Sequence, residues 1–175
     1  MATHVVWGKG HIEPFWTDAY KHLNYAKESF NNPVDLERWR DEGYSHRDDL
    51  FTGYLCDMRQ PQPGWNDLLI EWFANHFDVT DIGTSYYCMT TGTILPVHSD
   101  TYAKYCSLFG CDVKDIVRAL VMPEDWCSGH YLEINGTAVN SWRAGDFFWW
   151  IGDTPHMAAN IGIKDRYTIQ LTGHK

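Results

Sequence analysis

The feature that most constrains this chain is a change of period near residue 82. Before it, the clearest pattern is helical. In "GWNDLLIEWFANHF", Trp65, Leu68, Leu69, Trp72, Phe73, His76 and Phe77 recur at three- and four-residue steps. Such a stripe must be buried against something broad, most plausibly a sheet. After it, the pattern becomes that of short strands, at about 83–90, 93–98, 116–122, 129–134, 137–142, 146–151, 156–160 and 166–172. Asn135-Gly136 is a two-residue hairpin signal between "HYLEI" and "TAVNSW". Ala144-Gly145, Gly152-Asp153 and Gly162 punctuate the later strands.

Many short strands with frequent turns imply a sandwich, barrel or jelly roll. Eight strands behind a helical N-terminal region fit a double-stranded β-helix. The expected fold is therefore mainly β with supporting helices, jelly-roll or cupin-like. At 175 residues the chain is sized for a single domain. Within it, residues 1–82 would form a helix-rich support and 83–175 the β-helix core. In the support region, Asn32 and Pro33 read as the cap and first residue of one helix, and "TDAYKHLNYAKESF" has a helical pattern as well.

Charge and cysteine content narrow the partners. The formal net charge is −9 with no block of Lys or Arg, which disfavours nucleic-acid phosphate. No apolar run approaches the length of a membrane span, and the first ten residues do not read as a signal segment. The chain reads as cytoplasmic, acting on a small molecule or peptide. Five cysteines do not suggest a disulfide framework. Cys106, Cys111, Cys127 and His130 lack the paired spacing of a structural zinc site and read as scattered thiols.

Three His-x-Asp triplets occur, at 46–48, 76–78 and 98–100. With nine histidines in the chain, a triplet alone carries little information. His46-Arg47-Asp48 resembles a kinase catalytic loop but lacks every accompanying kinase motif and reads as a polar loop. His76 belongs to the helical stripe. His98-Ser99-Asp100 differs because it ends a strand, and a second histidine, His156, opens a late strand after the turn "GDTP". In a rolled sheet those strand ends can meet. Two imidazoles and one carboxylate would then form a facial triad, which holds Fe(II) and leaves positions open for oxygen chemistry. Ten residues past His156, Arg166 shares a strand face with Thr168 and Gln170. A guanidinium aimed into an apolar barrel needs an anionic partner, such as a dicarboxylate co-substrate.

With these residues assembled, the stretch from about 84 to 172 resembles the 2-oxoglutarate, Fe(II)-dependent oxygenase superfamily. The matching residues are "HSD" at 98–100, "PH" at 155–156 and "DRYT" at 165–168. The look is nearest to the aspartyl/asparaginyl β-hydroxylase-like branch, through Pro96, Arg118 in "VRALVMPEDW", and Trp142-Arg143-Ala144-Gly145-Asp146. The insert "SDTYAKYCSLFGCDVKD" is longer than is typical of that branch, and the N-terminal third is not covered.

The resemblance implies an oxygenase that hydroxylates an unactivated C–H bond. Its Fe(II) would be held by His98, Asp100 and His156. The distal carboxylate of 2-oxoglutarate would pair with Arg166, helped by Thr168. Arg118 would bind a carboxylate of co-substrate or substrate. One of Tyr86 and Tyr87, which occupy opposite strand faces, would reach the pocket, and Tyr86 is the expected cofactor contact. Asn160 and Asp153 are the expected orienters of the imidazoles. "FFWW" at 147–150 should split by alternation, one pair filling the barrel and the other packing under helices. Two other readings of the residues stay open: a cupin-type metalloenzyme that does not use 2-oxoglutarate, and a metal-free β-barrel binding protein.

Overall fold

Alternation along the second half of the chain is realised as two antiparallel sheets whose apolar faces meet. The computed structural model describes residues 6–44 and 51–175. The His46-Arg47-Asp48 triplet lies outside the described residues. The larger sheet has the order β1 (Trp7–His11), β9 (Asp146–Ile151), β6 (Ile116–Val121), β11 (Arg166–His174), β4 (Thr80–Met89), β3 (Thr52–Cys56) and β2 (Ala26–Ser29). The smaller has the order β5 (Thr93–His98), β10 (His156–Asn160), β7 (His130–Ile134) and β8 (Thr137–Val139). This is a mainly β, jelly-roll arrangement of two facing sheets. The bounds of β5, β9 and β10 are those expected from the sequence, while β8 stops at Val139. Asn135 (φ 49°) and Gly136 (φ 74°) both adopt left-handed backbone in the β7–β8 hairpin, as a tight primed turn requires.

The N-terminal third departs from the expected helical region. It holds α1 (Pro33–Asp41) and α2 (Asn66–Phe77), but it also supplies β1, β2 and β3 to the larger sheet. "TDAYKHLNYAKESF" contains only a 3-10 turn over Asp18–His22, followed by β2. Pairing of Ala26–Ser29 with β3 and burial of Tyr20 on the sheet override the local pattern. The α1 start is as expected, with Asn32 Oδ1 accepting from the Val34 amide at 3.1 Å.

The larger sheet has two buried faces of different make-up. Its outer face packs Tyr86, Val117, Ala119, Phe147, Ile169 and Leu171 against Leu69 and Phe73 of α2. The centre of the α2 stripe is buried as expected, whereas Leu68 at its margin is exposed. The inner face presents Tyr87, Met89, Leu120, Phe148 and Trp150 to Leu132, Ile134 and Ala158 of the smaller sheet. "FFWW" divides as alternation requires: Phe147 and Trp149 face α2, Phe148 and Trp150 the interior. Among the described residues no helix is long and apolar enough to cross a membrane.

Candidate metal centre

The sequence places His98 at the last residue of β5 and His156 at the first of β10. These antiparallel strands pair with His156 opposite His98. Their ring centroids are 4.4 Å apart. Asp100, two residues beyond β5, turns back between them. Its two carboxylate oxygens lie 3.9 Å from His98 Nε2 and 3.9 Å from His156 Nε2 respectively. The ligand atoms of the three residues all fall within 4.8 Å of one another, the one such cluster of potential metal ligands among the described residues.

The rings are oriented for ligation. His98 Nδ1 donates to the Pro96 carbonyl at 2.7 Å, and His156 Nδ1 donates to the Thr154 carbonyl at 3.0 Å. A carbonyl can only accept, so the proton sits on Nδ1 and the Nε2 lone pairs face Asp100. Asn160 and Asp153, expected as orienters, do not do this. Asn160 bonds the Met89 and Lys164 carbonyls and the Gly162 amide, closing the loop after β10. The imidazoles are held instead by main-chain oxygens, a contact that residue types do not advertise.

The N-terminal third braces the His98 end. Val97 O accepts from Trp39 Nε1 at 3.0 Å and from Arg38 Nη2 at 2.5 Å, both on α1. The Phe30 and Trp39 rings flank the His98 ring. Trp150 lies against His156 with centroids 4.6 Å apart. Burial pulls the His156 imidazole down to about 4. The Asp100 carboxylate opposes that fall, and His98 and Arg118 add to it. The ring is therefore neutral near pH 7, as a metal ligand must be. Burial pushes the Asp100 carboxyl up, but His156, Arg118, His98 and the Tyr102 hydroxyl outweigh it and hold it below the usual carboxylate range. The Asp100 side chain remains 30% exposed against 5% and 9% for the histidines, so the cluster opens to solvent on the carboxylate side.

Arg166 and Thr168 lie on the inner face of β11. Arg166 is buried; Nη1 donates to the Tyr131 carbonyl at 2.8 Å and the guanidinium sits over the Trp142 ring. Nε has no hydrogen-bond partner, and no ion pair with a carboxylate is formed among the described residues. Burial pulls the guanidinium down to about 10. An unpaired buried cation of this kind is costly unless a ligand supplies the anion. Arg118, on the inner face of β6, donates from Nη1 to Thr172 Oγ1 and from Nη2 to Gln170 Oε1, both at 2.6 Å.

Tyr86 is not brought to this interior. Strand parity turns it outward under α2, where its hydroxyl donates to Asn66 Oδ1 at 2.7 Å. Tyr87 is the inward member of the pair, opposite Thr168 across β4 and β11. Asp146 of the "WRAGD" turn is structural: it accepts from the Arg143 amide and contacts His11 Nδ1 at 2.9 Å, tying β1 to β9.

No family model matches the chain, and no curated protein matches it in sequence. Solved structures do. A prolyl-4-hydroxylase from Pseudomonas putida superposes with a TM-score of 0.55 at 15% identity, covering 90% of this chain and 96% of its own. A 2OG-Fe(II) oxygenase family oxidoreductase from Burkholderia pseudomallei gives 0.56 at 9% identity, over 89% and 76%. SnoK, a non-heme alpha-ketoglutarate-dependent carbocyclase of nogalamycin biosynthesis, gives 0.56 at 13% identity, over 92% and 85%. The likeness is one of fold. It extends over the N-terminal third, which the motifs in the sequence left uncovered, and it does not single out the aspartyl/asparaginyl hydroxylase branch.

Proposed function

We propose that this protein is an Fe(II), 2-oxoglutarate-dependent oxygenase that hydroxylates an unactivated C–H bond of an amino acid, peptide side chain or small metabolite. The observation that carries the reading is the pairing of a His–Asp–His cluster with a buried Arg166 that meets no carboxylate among the described residues. A metal-only enzyme of cupin type accounts for the cluster and leaves Arg166 unexplained. A metal-free binding protein leaves the His–Asp–His cluster unexplained.

The residues divide the work as follows. His98, Asp100 and His156 would supply the three protein ligands of an iron ion. The carbonyls of Pro96 and Thr154 fix the tautomer of both rings. Arg166 supplies a fork for the distal carboxylate of 2-oxoglutarate, with the Thr168 hydroxyl beside it. In the smaller sheet, His156 and Ala159 are three residues apart, and Ala159 pairs with Tyr131, whose carbonyl holds Arg166. Three residues of strand are about 10 Å, and this separation along the barrel supports an extended five-carbon dicarboxylate as the ligand. Met89, Leu132 and Ala158 line this interior and exclude water from it. Bound there, iron and 2-oxoglutarate supply activation of O2 coupled to oxidative decarboxylation of the oxo acid, giving succinate, CO2 and an oxygen atom for the substrate.

Anaerobic titration with Fe(II), then 2-oxoglutarate, tests this directly. The expected result is the weak visible charge-transfer band of a chelated 2-oxo acid, absent in His98→Ala and His156→Ala. Iron binding without that band would favour the metal-only enzyme. Iron binding undiminished in both variants would remove the reading altogether. Arg166→Ala should weaken 2-oxoglutarate and spare iron.

A further inference from the structure

Arg166 is not the only inward arginine with an open edge. Arg118 Nε is buried and has no partner among the described residues, although both Nη atoms are tied to β11. Its cross-strand neighbour on the same face is Trp150, whose Nε1 is also buried without a partner. The Tyr102 hydroxyl lies beside Trp150 and is directed at the Asp100 carboxylate, which it helps to hold ionised. Tyr102 is held in left-handed backbone (φ 49°) at the start of α3 (Ala103–Phe109), the conformation that turns the chain back after Asp100.

The chemistry of this pair is one-sided. A guanidinium Nε–H and an indole N–H can only donate. Two buried donors that meet no hydrogen-bond acceptor of ordinary geometry among the described residues require one, and the fixed positive charge of Arg118 favours an anion. Asp100 cannot fill this role while its oxygens serve the metal. The pair is also separate from the fork that we assign to 2-oxoglutarate. Arg118 is anchored on Gln170 and Thr172, four and six residues beyond Arg166 on β11, or about 13 Å and more along the strand. It lies instead at the metal end, where Trp150 packs on His156.

We propose that Arg118 and Trp150 form an oxyanion subsite for the substrate, so that the molecule oxidised carries a carboxylate close to the carbon presented to the metal. The inference rests on the oxygenase reading, because it leaves the co-substrate to Arg166. It narrows the substrate class to small acids, free amino acids, or peptides with an acidic side chain or terminus at the reacting residue. The carboxylate would enter from the open side of the cluster, beside Asp100.

The test follows the donors themselves by NMR. Protein carrying 15N at arginine Nε and at the tryptophan indole is loaded with Zn(II) and 2-oxoglutarate and titrated with acetate, with acetamide as the neutral control. Arg118→Lys and Trp150→Phe assign the two resonances by their loss. Acetate should shift the Arg118 Nε–H and Trp150 indole signals together, acetamide should shift neither, and Arg118→Lys should weaken acetate binding at least about tenfold at the indole signal. Signals unmoved by acetate mean that only water meets these donors, and the subsite is overturned. A shift of the Arg118 signal by 2-oxoglutarate itself, before any acetate, overturns it too, by giving Arg118 to the co-substrate. Failure of the Arg166 signal to respond to 2-oxoglutarate is a separate result, and it counts against the oxygenase reading instead.

Discussion

The two faces of the larger sheet are made by the same strands and obey opposite rules. On β11, Tyr167, Ile169 and Leu171 turn outward to meet α2 and its neighbours, in a cluster of tightly buried apolar side chains. Arg166, Thr168, Gln170 and Thr172 turn inward. Arg118, Trp150 and Arg166 on this inner face each keep a buried side-chain nitrogen without a hydrogen bond among the described residues. Native interiors rarely tolerate such atoms. A face that is finished without a ligand stabilises the fold, and a face that is not finished is where a ligand belongs.

Substitutions can separate the faces. The largest effect should come from the outer one. Phe73→Ala removes a fully buried ring beneath α2 and should cost about 3–5 kcal/mol in chemical denaturation, while iron and 2-oxoglutarate affinities of the folded protein stay unchanged. A large loss of iron affinity in this variant would mean that the faces are not independent. Next is ligand addition. Saturating iron and 2-oxoglutarate at about 100 times Kd should stabilise the protein by roughly 2.7 kcal/mol, measured as a rise in Tm under anaerobic conditions and lost in His98→Ala.

Arg166→Met gives a smaller effect of opposite sign. Without ligands it should be no less stable than the parent, and up to about 1–2 kcal/mol more stable, because an unpaired buried charge is removed. The same variant should no longer bind 2-oxoglutarate. A marked loss of ligand-free stability would show that the Tyr131 carbonyl and the Trp142 ring satisfy Arg166 by themselves. Smallest is Trp39→Phe, which deletes the indole bond to Val97 O. It should cost about 1 kcal/mol and weaken iron by loosening the end of β5, with Arg166 still competent for the dicarboxylate.

Strand-forming segments that alternate over several residues were legible in the sequence, and so were the ends that carry His98 and His156. The triad and Arg166 could be assembled because each sits at a strand terminus or on a defined strand face. The N-terminal strands could not be read this way. "WGKGH" has two glycines and no apolar alternation, and the four residues of β2 are all exposed. Those segments become strands through their partners β9 and β3, which no local pattern encodes. Tyr86 and Tyr87 show the same limit at finer scale. Alternation separates them, yet only the placement of α2 decides which of the two faces is the interior.

Both imidazoles take their orientation from main-chain carbonyls two residues upstream, at positions 96 and 154. A carbonyl survives any side-chain replacement, so no single substitution at those positions deletes the acceptor. Arg166 and Arg118 have no such insurance: their roles reside wholly in their own side chains. Substitution at positions 96 and 154 would therefore leave both rings oriented, whereas a single change at His98, Asp100, His156, Arg166 or Arg118 removes its group outright.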